Sequence, residues 1–168
     1  MSNDVRGQLR VAVGKHLTQG LARLIAVDEA TTSDLEAVVV PNCLDARKFV
    51  AEALPRQDAR RRLGLNDEAP ALLFMGRLSP EKGVEQLSSI AEALGQRSPQ
   101  ARLLVAGDGP WAARLGEAPR LVLLGPRDDP ATLLRAADVL IMPSRSEGLP
   151  MVALEAAALS TPVVSFPA

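Results

Sequence analysis

DVLIMPSRSEGLPMVALEAAAL, residues 138–159, holds a strand, a turn and a helix in one pass. DVLIMP, about 138–143, is a near-continuous apolar run rather than an alternating one, the pattern of a strand covered on both faces. Ser144 and Ser146 end the strand, Glu147, Gly148, Leu149 and Pro150 form the turn, and helical sequence runs from about Pro150 to Leu159. Proline suits a first helical turn because its missing N–H would have no helical partner there. Similar apolar runs recur outward: LRVAV (about 9–13), LEAVVV (about 35–40), ALLFM (about 71–75), ARLLVA (about 101–106), LVLLG (about 121–125) and PVVSF (about 162–166). Helix-periodic stretches separate them. Over 82–95, for example, Val84, Leu87, Ile90, Ala91 and Leu94 share one face. Strand and helix in alternation imply a parallel sheet with right-handed crossovers, a doubly wound, Rossmann-like α/β fold.

One region breaks the rhythm. Residues 46–70 are charged, carry Pro55 and Pro70, and contain no strand-like run. They read as a passage between a closing β-α-β segment (1–45) and a main domain (71–168). Arg60, Arg61 and Arg62 in that passage suggest either a basic patch or a solvated helix face.

Composition narrows the functions. The chain has 168 residues, 47% hydrophobic and only 2% aromatic, so its interior is Leu, Ala and Val with few rings for stacking. A net charge of −1 supplies no broad field for a nucleic-acid backbone, which removes nucleic acid as a partner. Cys43 and His16 are single, which excludes a disulfide within the chain, a Cys-based zinc site and a multi-histidine metal centre. The N-terminal MSNDVRGQLR is polar and does not read as a signal peptide, and no apolar run approaches the roughly 20 residues of a membrane span. The expected setting is reducing and cytoplasmic.

In doubly wound sheets, ligands bind beyond the carboxyl ends of the strands. Three such ends carry polar residues that a core does not need. In MGRLSPEKGVEQL, Gly76 lets the backbone approach a ligand, and Arg77 and Lys82 bracket a Ser-Pro turn before the expected helix. A cation at a helix start opposes the helix dipole, but it suits a site that receives an anion. Two exposed surface cations would fit the same letters. In the loop after Met142, the amides of Gly148, Leu149 and Met151 can face an anion or sugar hydroxyls. Glu147 and Glu155, eight residues apart, can both accept hydrogen bonds from a polyol; as an ordinary capping partner and an exposed helix residue they would need no ligand. In VAGDGPWAARL, Gly107, Gly109 and Ala112 fit G-x-G-x-x-A, a dinucleotide signature, but one expected on the first strand of its sheet.

Together the stretches VVVPNCLDARKF, FMGRLSPEKGVEQL, ARLLVAGDGP, LVLLGPRDD, LLRAADVLIMPSRSEGLPMVALEAAAL and TPVVSF resemble, in order, the retaining glycosyltransferases called glycosyl transferases group 1, which include glycogen synthase-like and mannosyltransferase enzymes. The resemblance runs from about Val38 to the end of the chain. It implies the C-terminal, donor-binding half of a GT-B fold, shortened at both ends, with the acceptor-binding domain largely missing and the piece inactive alone. It also implies a UDP-, GDP- or ADP-sugar donor, no cofactor, no metal, and hexosyl transfer with retention to a carbohydrate, lipid-linked or small-molecule acceptor. Peripheral membrane association of a full-length enzyme is compatible with it. Carried across by residue, Arg77 and Lys82 resemble the pair that grips the diphosphate. Glu147 resembles the carboxylate near the donor sugar, and Glu155 the acceptor for ribose hydroxyls. The catalytic set is then Glu147, Arg77 and Lys82. Gly76, Gly125, Arg127, Gly148, Leu149, Pro150, Met151 and Glu155 complete the donor site, Gly125 to Arg127 bordering the base. Cys43 stands where the family usually has glycine. A nucleotide-sugar-binding module without chemistry, or an NAD-type domain, are the alternatives.

Overall fold

The computed structural model describes residues 25, 26, 38–115, 118–145 and 147–166. The LRVAV run, His16 and Ser146 lie outside them. The chain divides after Asn42 into two compact units. In the first, β1 (Ile25–Ala26) pairs in parallel with β2 (Val38–Val39).

The second unit carries α1 (Ala46–Glu52), α2 (Arg56–Arg62), β3 (Ala71–Met75), α3 (Leu87–Arg97), β4 (Arg102–Ala106), α4 (Ala112–Leu115), β5 (Leu121–Gly125), α5 (Pro130–Ala136), β6 (Val139–Met142), α6 (Met151–Ala158) and β7 (Val163–Ser165). The five strands form one parallel sheet in the order β5-β4-β3-β6-β7. From β3 the chain steps outward to β4 and β5, then crosses back to place β6 on the other side of β3. The sheet therefore reverses direction between β3 and β6, where a doubly wound fold opens a crevice at the strand ends.

Both faces of the sheet are covered, which is why the strands read as unbroken apolar runs. Successive residues point to opposite sides. Leu73, Leu104 and Leu140 pack with α1, α2, α5 and α6 on one face, while Phe74, Leu103, Val105 and Ile141 pack with α3 and α4 on the other. Side chains as fully buried as Leu73, Leu104, Leu133 and Leu140 each contribute about 1.5–3 kcal/mol. The two edge strands leave apolar residues exposed: Leu123 in β5, and Val163 and Val164 in β7, Val164 most of all at 59%.

Residues 46–70 fold as two helices within the same unit as the sheet. Asp45 caps α1, its carboxylate accepting from Lys48 N–H. Both readings of the arginine triplet miss Arg60, which is only 1% exposed. Its guanidinium donates to the carbonyls of Ala136 (2.8 Å), Asn66 (2.7 Å) and Ala69, so it closes the C-terminal end of α5 and ties down the loop entering β3. Asp138 sits 3.7 Å from it and accepts from the amide of Ala71 at 2.8 Å. Arg61, by contrast, is solvated and pairs with Asp58.

Candidate functional site

The expected helix over 82–95 starts later than its periodicity suggests. After β3 the chain makes a 3-10 turn, Pro80–Lys82, then a second, Val84–Gln86, and only at Leu87 does α3 begin. Gly83 causes the break. It adopts φ 68°, and a Cβ there would lie 1.9 Å from the carbonyl oxygen of Pro143. The turn after β3 and the loop after β6 thus touch through their backbones. Lys82 consequently ends a 3-10 turn instead of opening a helix, and the amides of Lys82 and Gly83 are used locally, donating to the carbonyls of Ser79 and Pro80.

The counter-charge for Lys82 comes from the facing loop. Its Nζ lies 2.7 Å from Glu147 Oε1, and the buried Ser144 donates to the same oxygen at 2.6 Å. Both charged side chains are mostly covered, 33% and 21% exposed. Strand ends far apart in sequence therefore bring a cation and a carboxylate together at the crevice. Next to the pair, Gly76, Lys82, Ser144, Glu147, Pro150 and Met151 line a cavity of about 230 Å³.

A second cavity, of about 370 Å³, shares Met75, Gly76, Met151 and Val152 with the first and extends to Gly107, Pro126, Arg127 and Glu155. Arg127 is held there as a fork on Asp129, with Nε to Oδ1 at 2.8 Å and Nη2 to Oδ2 at 2.7 Å. The fork holds the Asp129 carboxyl below its ordinary range and raises the guanidinium's proton affinity. The Glu155 carboxylate forms no hydrogen bond or ion pair among the described residues. Burial pushes its carboxyl above the ordinary glutamate range.

That shift has a sign. A group whose folded-state pKa lies above its unfolded value loses its stabilising contribution as pH rises through the folded value. Glu155→Gln is therefore expected to unfold at the same temperature as the parent near pH 4, and at a higher temperature as pH climbs beyond the normal glutamate range. Parallel melting curves across pH 4–8 would show that the carboxylate is not desolvated.

Arg77 follows Gly76 directly and is exposed, with no side-chain hydrogen bond or ion pair among the described residues. It lies close enough to Glu81 to help depress that carboxyl, after the larger effects of the Ser79 hydroxyl and the Glu81 backbone. Arg77, Gly125, Gly148 and Leu149 line neither cavity; Gly125 borders the larger one through Pro126, and its carbonyl accepts from Gly107 at 2.8 Å. Pro150 precedes the first residue of α6, and no side chain caps that helix. The G-x-G-x-x-A letters have a local explanation: a Cβ at Gly107 would meet the Gly76 carbonyl oxygen at 1.9 Å. That glycine admits the neighbouring loop, not a pyrophosphate. Among the described residues no three His, Cys, Asp or Glu side chains gather as a metal site, and no helix is long and apolar enough to cross a membrane.

The sequence reading left Ser144 and Asp129 without roles. Ser144 ends a strand and is buried, which only its contact with Glu147 explains; Asp129, two residues from Arg127, could have been found as a short-range charge pair.

Comparison with known proteins places this geometry. The family described as Glycosyl transferases group 1 matches residues 55–168. The chain is 35% identical to a putative teichuronic acid biosynthesis glycosyltransferase, TuaC, of Bacillus subtilis (strain 168), over 79% of the chain and 33% of that protein. It is 34% identical to the 2-deoxystreptamine glucosyltransferase of Streptomyces kanamyceticus, over 96% of the chain and 44% of the relative. The structure of Anabaena Alr3699/HepE in complex with UDP-glucose superposes with a TM-score of 0.74 at 27% identity, covering 96% of this chain and 49% of that one. The chain thus spans less than half the length of each of these proteins.

Proposed function

The chain belongs to the glycosyl transferases group 1 family, and from that membership we propose that it binds a nucleoside-diphosphate sugar as the donor half of a hexosyl transfer that retains anomeric configuration. The observation that carries this reading is the Lys82–Glu147 contact at the sheet's reversal point, beside a cavity that holds an unpaired carboxylate.

In this reading the diphosphate takes Lys82 as its partner and draws Arg77 inward from solvent. Lys82 then leaves Glu147, whose freed oxygen accepts from a hydroxyl of the donor sugar while Ser144 keeps the carboxylate in place. The N–H groups at the start of α6, around Gly148 to Met151, add donors where a helix end favours negative charge. Glu155 accepts from the ribose hydroxyl pair, which replaces the water that burial has removed from it. Gly125 to Arg127 border the base, with the Arg127 fork fixing that wall.

As the bond from the anomeric carbon to phosphate breaks, negative charge gathers on the leaving diphosphate. Cations and amide dipoles gathered around the bound diphosphate stabilise that charge, and such electrostatic stabilisation is the main source of acceleration in sites of this kind. The acceptor (carbohydrate, lipid-linked or small molecule) is supplied through the other half of the transferase, and the reaction faces the cytoplasm.

UDP-glucose is the first donor to try, because the HepE structure at 27% identity contains it. Calorimetric titration of UDP-, GDP- and ADP-glucose should find one that binds. Arg77→Ala is expected to weaken that donor about tenfold or more, the effect of one charge-assisted hydrogen bond. Unchanged affinity would remove Arg77 from the site. Glu147→Gln in the complete transferase separates an enzyme, which loses turnover, from a module that only binds.

A further inference from the structure

The loop that carries Glu147 is attached to the turn that carries Lys82 by more than their own contact. Arg145 Nη2 lies 2.5 Å from Glu85 Oε1, and the Arg145 amide donates to the carbonyl of Glu81 at 3.2 Å. One residue of the loop is therefore bonded to the turn on both sides of Lys82, one position before it and three after. Glu147 follows Arg145 by two residues.

The pair is poorly suited to stabilising the fold. Arg145's side chain is 69% exposed, and ion pairs in such surroundings contribute little. Glu85's second oxygen is buried with no hydrogen-bond partner among the described residues, which costs free energy. What the arrangement does fix is position. The backbone contact of Gly83 with Pro143 holds only the base of the loop. Beyond Pro143, and among the described residues, Arg145 is the one bonded to the turn before Glu147 is reached.

We propose that Glu85 and Arg145 form a positioning clamp, which holds the Glu147 loop against the turn of Lys82 so that the donor meets the cation and the acid on a frame already in place. The proposal rests on the donor-site reading above. Neither residue touches the ligand in it; both act through Lys82 and Glu147.

The sign of one substitution separates a clamp from simple charge. Glu85→Gln removes a negative charge close to an anion site, so electrostatics alone would tighten binding. A clamp predicts the opposite, because Arg145 is released and the loop drifts. UDP, GDP and ADP serve as calorimetric probes on the 168-residue chain, with thermal unfolding recorded alongside. Glu85→Gln and Arg145→Ala should each weaken the tightest probe by about tenfold, the scale on which small misplacements act. Arg145→Lys should restore most of the affinity, and unfolding temperatures should stay near that of the parent. Tighter or unchanged binding by Glu85→Gln overturns the clamp, as does a lowered unfolding temperature with affinity intact. Failure of the parent chain to bind all three probes instead overturns the donor site beneath it, and the clamp falls with it.

Discussion

If the proposed donor site is correct, Lys82→Ala is expected to lower the turnover of the complete transferase by about 10²–10³-fold, the usual effect of removing one preorganised partner of a developing charge. The loss should fall on turnover as well as on donor affinity, because negative charge on the diphosphate is greater at bond breaking than in the bound donor. Stability should move little. The two turns remain in contact through Gly83 and Pro143, and Glu147 keeps its bond from Ser144. Initial rates at saturating and limiting UDP-glucose, with melting curves for both proteins, test this. A variant that merely needs more donor, with full turnover at saturation, would show that Lys82 binds the ground state and the transition state alike.

Arg60→Ala should destabilise the second unit by about 3–5 kcal/mol, the cost of breaking a buried charge network. The carbonyls of Ala69 and Ala136 lose the guanidinium, that of Asn66 keeps only the Ala69 amide, and Asp138 loses a nearby cation. At about 2–4 °C per kcal/mol for a chain of this size, the unfolding midpoint should fall by about 10 °C. Arg60→Met, which keeps much of the shape, should lose nearly as much, since the Ala69 and Ala136 carbonyls lose the guanidinium either way. Denaturant titration reads both. A loss below about 1 kcal/mol would mean that water replaces the guanidinium.

The parallel sheet was legible in its unbroken apolar runs: ALLFM, with three residues buried, and LVLLG, at the partly exposed edge, are both strands over their full lengths, 71–75 and 121–125. Helix onset was less legible. Periodicity placed it at 82, yet Val84 and Leu87 point inward from a 3-10 turn and an α-helix alike, and only the left-handed φ of Gly83 separates the two. Lys82 and Glu147 were named from their residue types and neighbours, but that they touch depends on which strands lie side by side, and β3 and β6 are neighbours only because the chain doubles back. Arg60 shows the opposite failure. Among three consecutive arginines no sequence signal marks the one that turns inward, because the carbonyls it satisfies belong to a helix end 76 residues away.

At the foot of the two loops, where Gly83 admits the Pro143 carbonyl, main chain rests on main chain. Side chains at the rim can then be exchanged without altering the gap between the strand ends. Such a frame would let one scaffold accept a different ligand through a few rim substitutions, and it makes Gly83, like Gly107 against the Gly76 carbonyl, a position with no room for a side chain.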